Sequence, residues 1–179
     1  KSFEMIAQAM GGVMSLTGEP DGPPMRIESG IGDTATGLHA AIGILGAIIQ
    51  RGITGVGQRV EVAQQDVVVN LTRIHFRDHW LGVSPVQRKG NRSPNAAPSN
   101  LYRCSPFGPN DYVFIYTSRA TNAHWERLCE VIGREDLKED PRLATPPQRA
   151  NHAAEINKHI ERWTKNFTKV EAMEKLGAA

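Results

Sequence analysis

Asp33 is the residue of this sequence best placed to do chemistry. It lies in the segment Gly30-Ile-Gly-Asp-Thr-Ala-Thr-Gly-Leu-His39, at the first turn or N-cap of a predicted helix. An aspartate there commonly accepts hydrogen bonds from backbone N–H groups that the helix cannot satisfy itself. A carboxylate held by those amides and by the helix dipole can also attack an activated acyl group, and the flanking glycines leave room for a substrate. The motif therefore predicts either a helix cap or a nucleophile.

The histidines and cysteines give weaker signals. His75 and His79 lie four residues apart on a predicted helix, but the glutamate of a metalloprotease signature is missing, so we expect a polar helix face and no metal site. His39 is interpreted as a hydrogen-bonded core histidine that could alternatively touch substrate. Cys104 and Cys129 have no CxxC spacing, which suggests neither a disulfide framework nor a zinc site. We interpret Cys129 as an inert core thiol.

The first half of the sequence has helical periodicity with one interruption. Helical spacing from Thr34 to Gln50 predicts a helix ending near Gly52, with one buried face. That face comprises Leu38, Ala41, Ile42, Leu45, Ile48 and Ile49. Residues 58–62 alternate like a short strand, and helical spacing returns over residues 64–80. Glycines in a helix interior cost up to about 1 kcal/mol each. We therefore expect another backbone or a ligand to approach the first helix at Gly37, Gly43 and Gly46.

The periodicity stops between Gly82 and Ser99, where prolines and asparagines accumulate. We predict a first domain at residues 1–81, a linker or flap at 82–99 and a second domain at 100–179. In the second domain, residues 112–116 predict a buried strand, and residues 122–132 and 155–164 predict helices with Trp125 and Trp163 in the core. Thr168 and Glu171 form a capping-box signature that opens a last helix.

The composition excludes several classes of function. The 179 residues are 40% hydrophobic and 22% charged, which is typical of a globular protein. The net charge of +2 arises from scattered residues, so no basic face for nucleic acid is expected. The longest apolar stretch, around residues 38–49, is interrupted by glycines and too short to span a bilayer. The cysteine content fits a reducing compartment, and we expect a cytosolic protein.

Several motifs together resemble the family III CoA-transferases across nearly the whole chain. In the first half these are Lys1-Ser-Phe-Glu-Met-Ile-Ala-Gln-Ala-Met-Gly-Gly12, Thr17-Gly18, Asp21-Gly-Pro-Pro24, Gly32-Asp33, Thr36-Gly-Leu-His39, Thr54-Gly-Val-Gly-Gln58, Gln65-Asp66, Asn70-Leu-Thr-Arg-Ile74 and Arg77-Asp78. In the second half they are Trp125-Glu-Arg-Leu-Cys129, Glu139-Asp-Pro-Arg142 and Ala150-Asn151. Their order and spacing follow that family.

The resemblance implies an α/β fold. Residues 1–81 would be the C-terminal portion of a Rossmann-like large domain, and the second domain would be the family's smaller α+β domain. The sequence starts at Lys1 without an initiator methionine and stops directly after a helix-like run, so we expect it to be incomplete at both ends. The resemblance also implies interlocked homodimers.

For the chemistry, the resemblance implies that Asp33 attacks an acyl-CoA thioester to give a mixed anhydride. CoA thiolate then forms an aspartyl-CoA thioester, which hands CoA to a carboxylic acid. Lys1, Glu4 and Gly32 are the candidate CoA-binding residues: the resemblance implies that Lys1 contacts CoA and that Glu4 lies near the catalytic carboxylate, and Gly32 leaves room for the substrate. CoA is a substrate in this scheme, and no permanently bound cofactor or metal is expected. Where relatives carry a glycine-rich flap, this sequence has the stiffer segment 93–98.

Two other functions fit the same residues. An acyl-CoA racemase of the same superfamily would use an aspartate and a histidine as paired acid and base. A non-catalytic assembly module would use Asp33 only as a helix cap. The polar setting of Asp33 favours the transferase, and the sequence names neither the acyl donor nor the acceptor.

Overall fold

The computed structural model describes residues 3–83, 85–93, 96–118 and 120–179. The chain divides into two compact units, with the boundary between Gly90 and Asn91. The first unit contains the helices α1 (Glu4–Met10), α2 (Val13–Leu16), α3 (Ile31–Thr54), α4 (Gln64–Leu71) and α5 (Ile74–Trp80).

The second unit combines a two-stranded sheet with helices. Its elements are β1 (Ser99–Arg103), β2 (Tyr112–Tyr116), α6 (Ala123–Val131), 3-10 turns at Glu135–Leu137 and Pro141–Leu143, α7 (Pro146–Asn151), α8 (Ala153–Thr164) and α9 (Lys169–Gly177). The structure is therefore helix-rich, and β1 and β2 form the one sheet found in the described ranges.

The core of the first unit lies where α1 meets α3 and α4. Ala7, Val13 and Val68 are its buried residues. The contact is close at Gly11, where an added Cβ atom would lie 2.5 Å from Val68 Cγ1. This packing fixes the start of α3 and of α4 relative to α1.

Helix α3 begins three residues earlier than the periodicity predicts and ends at Thr54, followed by Gly55 in the left-handed region with φ of 74°. The prediction of a buried face was wrong within this unit, because Leu38, Ile42 and Ile49 are 62%, 69% and 66% exposed. The periodicity identifies an apolar face, but it does not show what covers that face. Helices α1 and α4 pack against α3 but leave its apolar face exposed to solvent.

The glycines of α3 differ in their surroundings. A methyl group at Gly43 would lie 2.7 Å from Val60 Cγ1, so a neighbouring segment does approach there. At Gly37 and Gly46, no atom of the described residues lies within 4 Å of that position. The expected close approach is therefore found at Gly43 alone of these three.

Two predictions for the segment after α3 need correction. Residues 58–62 form no strand, because no described segment pairs with their backbone. Helical structure over residues 64–80 is confirmed, but as two helices, since the chain turns at Thr72 and Arg73 between α4 and α5.

The sheet of the second unit pairs Ser99 with Tyr116 and Arg103 with Tyr112 in antiparallel register. The strand at 112–116 is confirmed, but only Ile115 in it is buried. Strand β1 was not predicted, and residues 96–99 directly before and at its start are buried. One face of the sheet packs on helices, so the strands alternate between covered and open sides.

The core of the second unit collects side chains from β1, β2, α6 and α8. Trp125 is buried as the periodicity predicts, and Leu128 and Cys129 of the same helix are buried with it. Trp163 was also predicted in the core, but it is half-buried and packs on Phe167. The capping box of α9 is confirmed in both of its hydrogen bonds.

Helix α3 is also long and apolar enough to cross a membrane, with a mean hydropathy of 1.3 over its best window. The expectation that no stretch reaches that length was therefore wrong for this helix. Core helices of soluble proteins pass the same test of length and composition, but they are mostly buried, whereas only 6% of this stretch of α3 is buried.

Candidate functional site

The N-terminus of α3 is closed by a side chain from another helix. Gly30 is its N-cap residue, in the left-handed conformation with φ of 61°, and has no side chain to offer. Glu4 of α1 caps the helix instead. Its Oε1 accepts a hydrogen bond from the backbone N–H of Gly32 at 3.0 Å, and its Oε2 accepts one from the backbone N–H of Asp33 at 2.5 Å. A carboxylate at this end of a helix also interacts favourably with the helix dipole.

Glu4 is itself held by Gln8, one turn further along α1. Gln8 Nε2 donates to Glu4 Oε1 at 2.6 Å and to the carbonyl of Ile27 at 2.8 Å, and Gln8 Oε1 accepts from the N–H of Ile27 at 2.9 Å. Gln8 is fully buried. Its amide therefore joins α1 to the segment that leads into α3.

These contacts set the charge state of Glu4. Burial raises the pKa of the Glu4 carboxyl, but the hydrogen bonds from Gln8 and from the backbone of Asp33 and Gly32 together lower it below the usual value of 4.5. Hydrogen bonds to the charged form favour that form. Glu4 is consequently an anion at neutral pH.

The Glu4 carboxylate lies so close to the backbone of position 32 that glycine fits there best. A Cβ atom at this position would lie 2.9 Å from Glu4 Oε2 and 3.4 Å from Ala7 Cβ. Any larger residue would push the Glu4 carboxylate away from the helix N-terminus. The structure thus gives Gly32 a role in the packing of α1 against α3.

Asp33 is the third residue of α3, in its first turn, and its side chain is exposed to solvent. The interpretation of Asp33 as the helix cap was wrong, because Glu4 has taken the amides that a capping side chain would accept. Asp33 instead accepts at Oδ1 a hydrogen bond from Nε2 of Gln64, the first residue of α4. This hydrogen bond from α4 orients the Asp33 carboxylate, which remains accessible to a reactant.

A second side-chain contact joins the same two helices six residues further along each of them. Asn70 Nδ2 lies 3.0 Å from His39 Nε2, and His39 Nδ1 lies 2.8 Å from the carbonyl oxygen of Ala35. Because a carbonyl only accepts, Nδ1 carries the ring proton and Nε2 accepts from Asn70. His39 is half-buried with both nitrogens bonded.

Of the other residues predicted for the site, Lys1 lies outside the described residues. Over the described ranges, no group of three histidine, cysteine, aspartate or glutamate side chains could hold a metal ion. Cys129 belongs to the second unit, where burial raises the pKa of its thiol to about 12.

Sequence reasoning missed Gln8, Gln64 and Asn70. Gln64 and Asn70 each lie 31 residues from their partner on α3, and Gln8 lies 19 residues from Ile27. No periodicity links positions so far apart.

Comparison with known proteins identifies the family. The model for CoA-transferase family III matches residues 1–179. The chain is 43% identical to the formyl-CoA:oxalate CoA-transferase of Streptomyces avermitilis and 40% identical to the one of Rhodopseudomonas palustris. These matches cover 99% and 97% of this chain but only 46% and 45% of the relatives, so the chain spans about half of their length.

Solved structures give the same result. A CAIB/BAIF family protein from Brucella suis matches 99% of this chain with a TM-score of 0.82 and 29% identity. A hypothetical protein from Mycobacterium tuberculosis matches with a TM-score of 0.79 and 28% identity. Each match covers 45% of the other chain. The fold and the sequence together place the chain among the CoA-transferases. The chain belongs to CoA-transferase family III.

Proposed function

We propose that the protein containing this chain transfers coenzyme A from an acyl-CoA thioester to a carboxylic acid, with Asp33 as the nucleophile. The observation that carries the proposal is the exposed carboxylate of Asp33 on the first turn of α3, within a chain that matches the family over all of its residues. An accessible, oriented carboxylate is what attack on a thioester requires.

The proposed reaction conserves the energy of the thioester through two kinds of covalent intermediate. Asp33 attacks the acyl-CoA carbonyl carbon to form a mixed anhydride and CoA thiolate. The thiolate attacks the aspartyl carbonyl and releases the first carboxylic acid. The acceptor carboxylate then attacks the resulting aspartyl-CoA thioester, and the thiolate finally takes the new acyl group.

The cap made by Glu4 supports this assignment to Asp33. Because the amides of the first turn donate to Glu4, they do not hold the Asp33 carboxylate against the helix. Gly32 allows the cap to form so close to Asp33. We propose that Glu4 and Gly32 position Asp33 for the substrate. We also propose that Lys1 contacts CoA, as the resemblance to the family implies.

The environment of His39 argues against the racemase alternative. An acid–base partner for Asp33 needs a ring nitrogen free to exchange a proton with the substrate. Both ring nitrogens of His39 are engaged, one with the carbonyl of Ala35 and one with Asn70.

For substrates, we propose formyl-CoA and oxalate as the first pair to examine, because relatives named for that exchange are 40–43% identical to this chain. Residues 93–98 differ from the glycine-rich flap of the family, so other CoA thioesters and dicarboxylates belong in the same panel. Specificity would depend on that segment.

We further propose a cytosolic homodimer with interlocked chains, in which residues 1–81 belong to a Rossmann-like large domain and residues 100–179 to a smaller domain. The open apolar face of α3 supports assembly, since a face of this size is rarely left in water. The free, buried Cys104 and Cys129 support a reducing compartment.

The variant Asp33→Asn tests the nucleophile in the full-length protein. We expect near-normal folding, because Glu4 rather than Asp33 caps α3, and a loss of nearly all CoA-transferase activity. The measurement is steady-state turnover with the substrate panel, alongside the urea midpoint of unfolding. Retained turnover would reject Asp33 as the nucleophile.

A further inference from the structure

We infer that Gln64 is a catalytic residue that stabilises the negative charge formed on Asp33 Oδ1 whenever the aspartyl carbonyl is attacked. The inference rests on the proposed function and adds a role for a residue that no motif singles out. It starts from one contact, the hydrogen bond that Gln64 Nε2 donates to Asp33 Oδ1.

The position of Gln64 is fixed by the core of the first unit. It is the first residue of α4, and Val67 and Val68 on the next turn are 3% and 0% exposed. Val68 packs against Gly11 at the end of α1. The amide therefore projects from an anchored helix, as a donor must if it is to stay in place during a reaction.

The contact makes the two oxygens of the Asp33 carboxylate unequal. Oδ1 is engaged by Gln64, whereas Oδ2 has no hydrogen-bond partner among the described residues. Oδ2 is thus the oxygen free to attack. It forms a bond to the acyl carbon, the C–S bond breaks, and CoA leaves as thiolate with the electron pair. Oδ1 becomes the carbonyl oxygen of the aspartyl half of the anhydride.

The next step places charge on the oxygen that Gln64 holds. The thiolate attacks Asp33 Cγ, and the carbonyl electron pair moves to Oδ1, where the amide N–H meets a full oxyanion. Collapse breaks the bond from Cγ to Oδ2, and the donor acid departs as a carboxylate. The acceptor carboxylate later attacks the same carbon. Gln64 therefore acts in the steps at Cγ and not in the attack on acyl-CoA.

Glu4 cannot supply this donor, although it lies nearby. Both of its oxygens are acceptors in their contacts with the backbone of Gly32 and Asp33. A carboxylate would repel the oxyanion, whereas the amide of Gln64 offers an N–H group to it.

A purely structural role for Gln64 would be to fasten α4 to α3, and the chain offers a matched control for it. Asn70 joins the same two helices through His39, six residues further along each helix. It does not touch Asp33. A substitution there removes a comparable inter-helix hydrogen bond and leaves the reacting atoms alone.

The test uses the full-length protein and its Gln64→Leu, Gln64→Glu and Asn70→Leu variants. Each is mixed with a panel of acyl-CoA donors led by formyl-CoA, without acceptor, and quenched in acid at short times. Intact-protein and peptide mass spectrometry then measures the rate at which Asp33 gains CoA. Calorimetric titration gives the affinity for CoA, and the urea midpoint checks folding.

We expect the rate of aspartyl-CoA formation to fall about 100-fold in both Gln64 variants, the loss typical of one oxyanion donor. CoA affinity should be unchanged, and Asn70→Leu should behave like the wild type. Equal losses in the Gln64 and Asn70 variants, or no loss in the Gln64 variants, would overturn the inference while leaving the nucleophile in place. A wild-type protein that gains no CoA at Asp33 with any donor would overturn the proposed function, and the inference with it.

Discussion

At the scale of single residues, the two carboxylates of the site have different roles: Glu4 caps helix α3, and Asp33 is exposed to solvent. Glu4 accepts the amides of the first turn of α3, and Asp33 next to those amides remains open. The motif around Asp33 was enough to predict a carboxylate at a helix start. It did not show which carboxylate caps the helix, because Glu4 precedes Asp33 by 29 residues and no local spacing connects them.

The pH dependence of the unfolding free energy should show how much the Glu4 cap contributes to stability. The pKa of Glu4 is lowered from 4.5 in the folded state, so its contribution is fully present above about pH 4.5 and disappears as the pH falls through the lower folded value. We expect Glu4→Gln to lose about 1 kcal/mol of unfolding free energy at neutral pH. The difference from wild type should shrink on acidification. Urea unfolding between about pH 3 and 7 measures it.

Glu28→Gln is the matched control for that series. Glu28 lies in the same unit and pairs with Arg26 at the surface, so its replacement removes the same charge without touching α3. Exposed pairs of this kind contribute little. A stability difference for Glu4→Gln that stays constant over the whole pH range would contradict the lowered pKa.

At the scale of helices and strands, the capping prediction that rests on residues close in sequence was confirmed, whereas predictions that need a partner far away in the sequence failed. The capping box at Thr168 depends on residues within a few positions of one another, and α9 begins where it predicts. Helix α3 runs past the predicted end near Gly52 to Thr54, before Gly55 in the left-handed conformation. The supposed strand at residues 58–62 failed because a strand needs a partner that alternation alone does not provide. Periodicity likewise predicts that α3 has an apolar face, but it does not predict whether another segment buries that face.

The cap of α9 offers a test at this scale. Thr168 Oγ1 accepts from the N–H of Glu171 at 3.2 Å, and Glu171 Oε2 accepts from the N–H of Thr168 at 2.8 Å. Because α9 packs on β2 and α6, loosening its start should weaken the second unit. We expect Thr168→Ala to lower the unfolding free energy by about 1 kcal/mol and Thr168→Ser to have little effect. Equal losses in urea unfolding would mean that the hydroxyl does not matter.

At the scale of the whole molecule, the family follows from motifs spread along the sequence, and the match over residues 1–179 confirms it. The structure adds the side-chain geometry around Asp33, which no motif contains. The chain spans about 46% of the Streptomyces avermitilis relative, so the proposed activity is to be tested on the full-length protein. The contacts of Gln8, Gln64 and Asn70 could not be predicted, because they depend on how separate helices pack.

The central claim is that Asp33 becomes covalently acylated, and trapping with hydroxylamine tests it most directly. The full-length protein is incubated with each CoA thioester of the panel and hydroxylamine, and the peptide that contains Asp33 is analysed by mass spectrometry. We expect conversion of Asp33 to a hydroxamate that requires the thioester and is absent in Asp33→Asn. An unmodified Asp33 in a protein that is turning over would contradict it, and would favour proton-transfer chemistry instead.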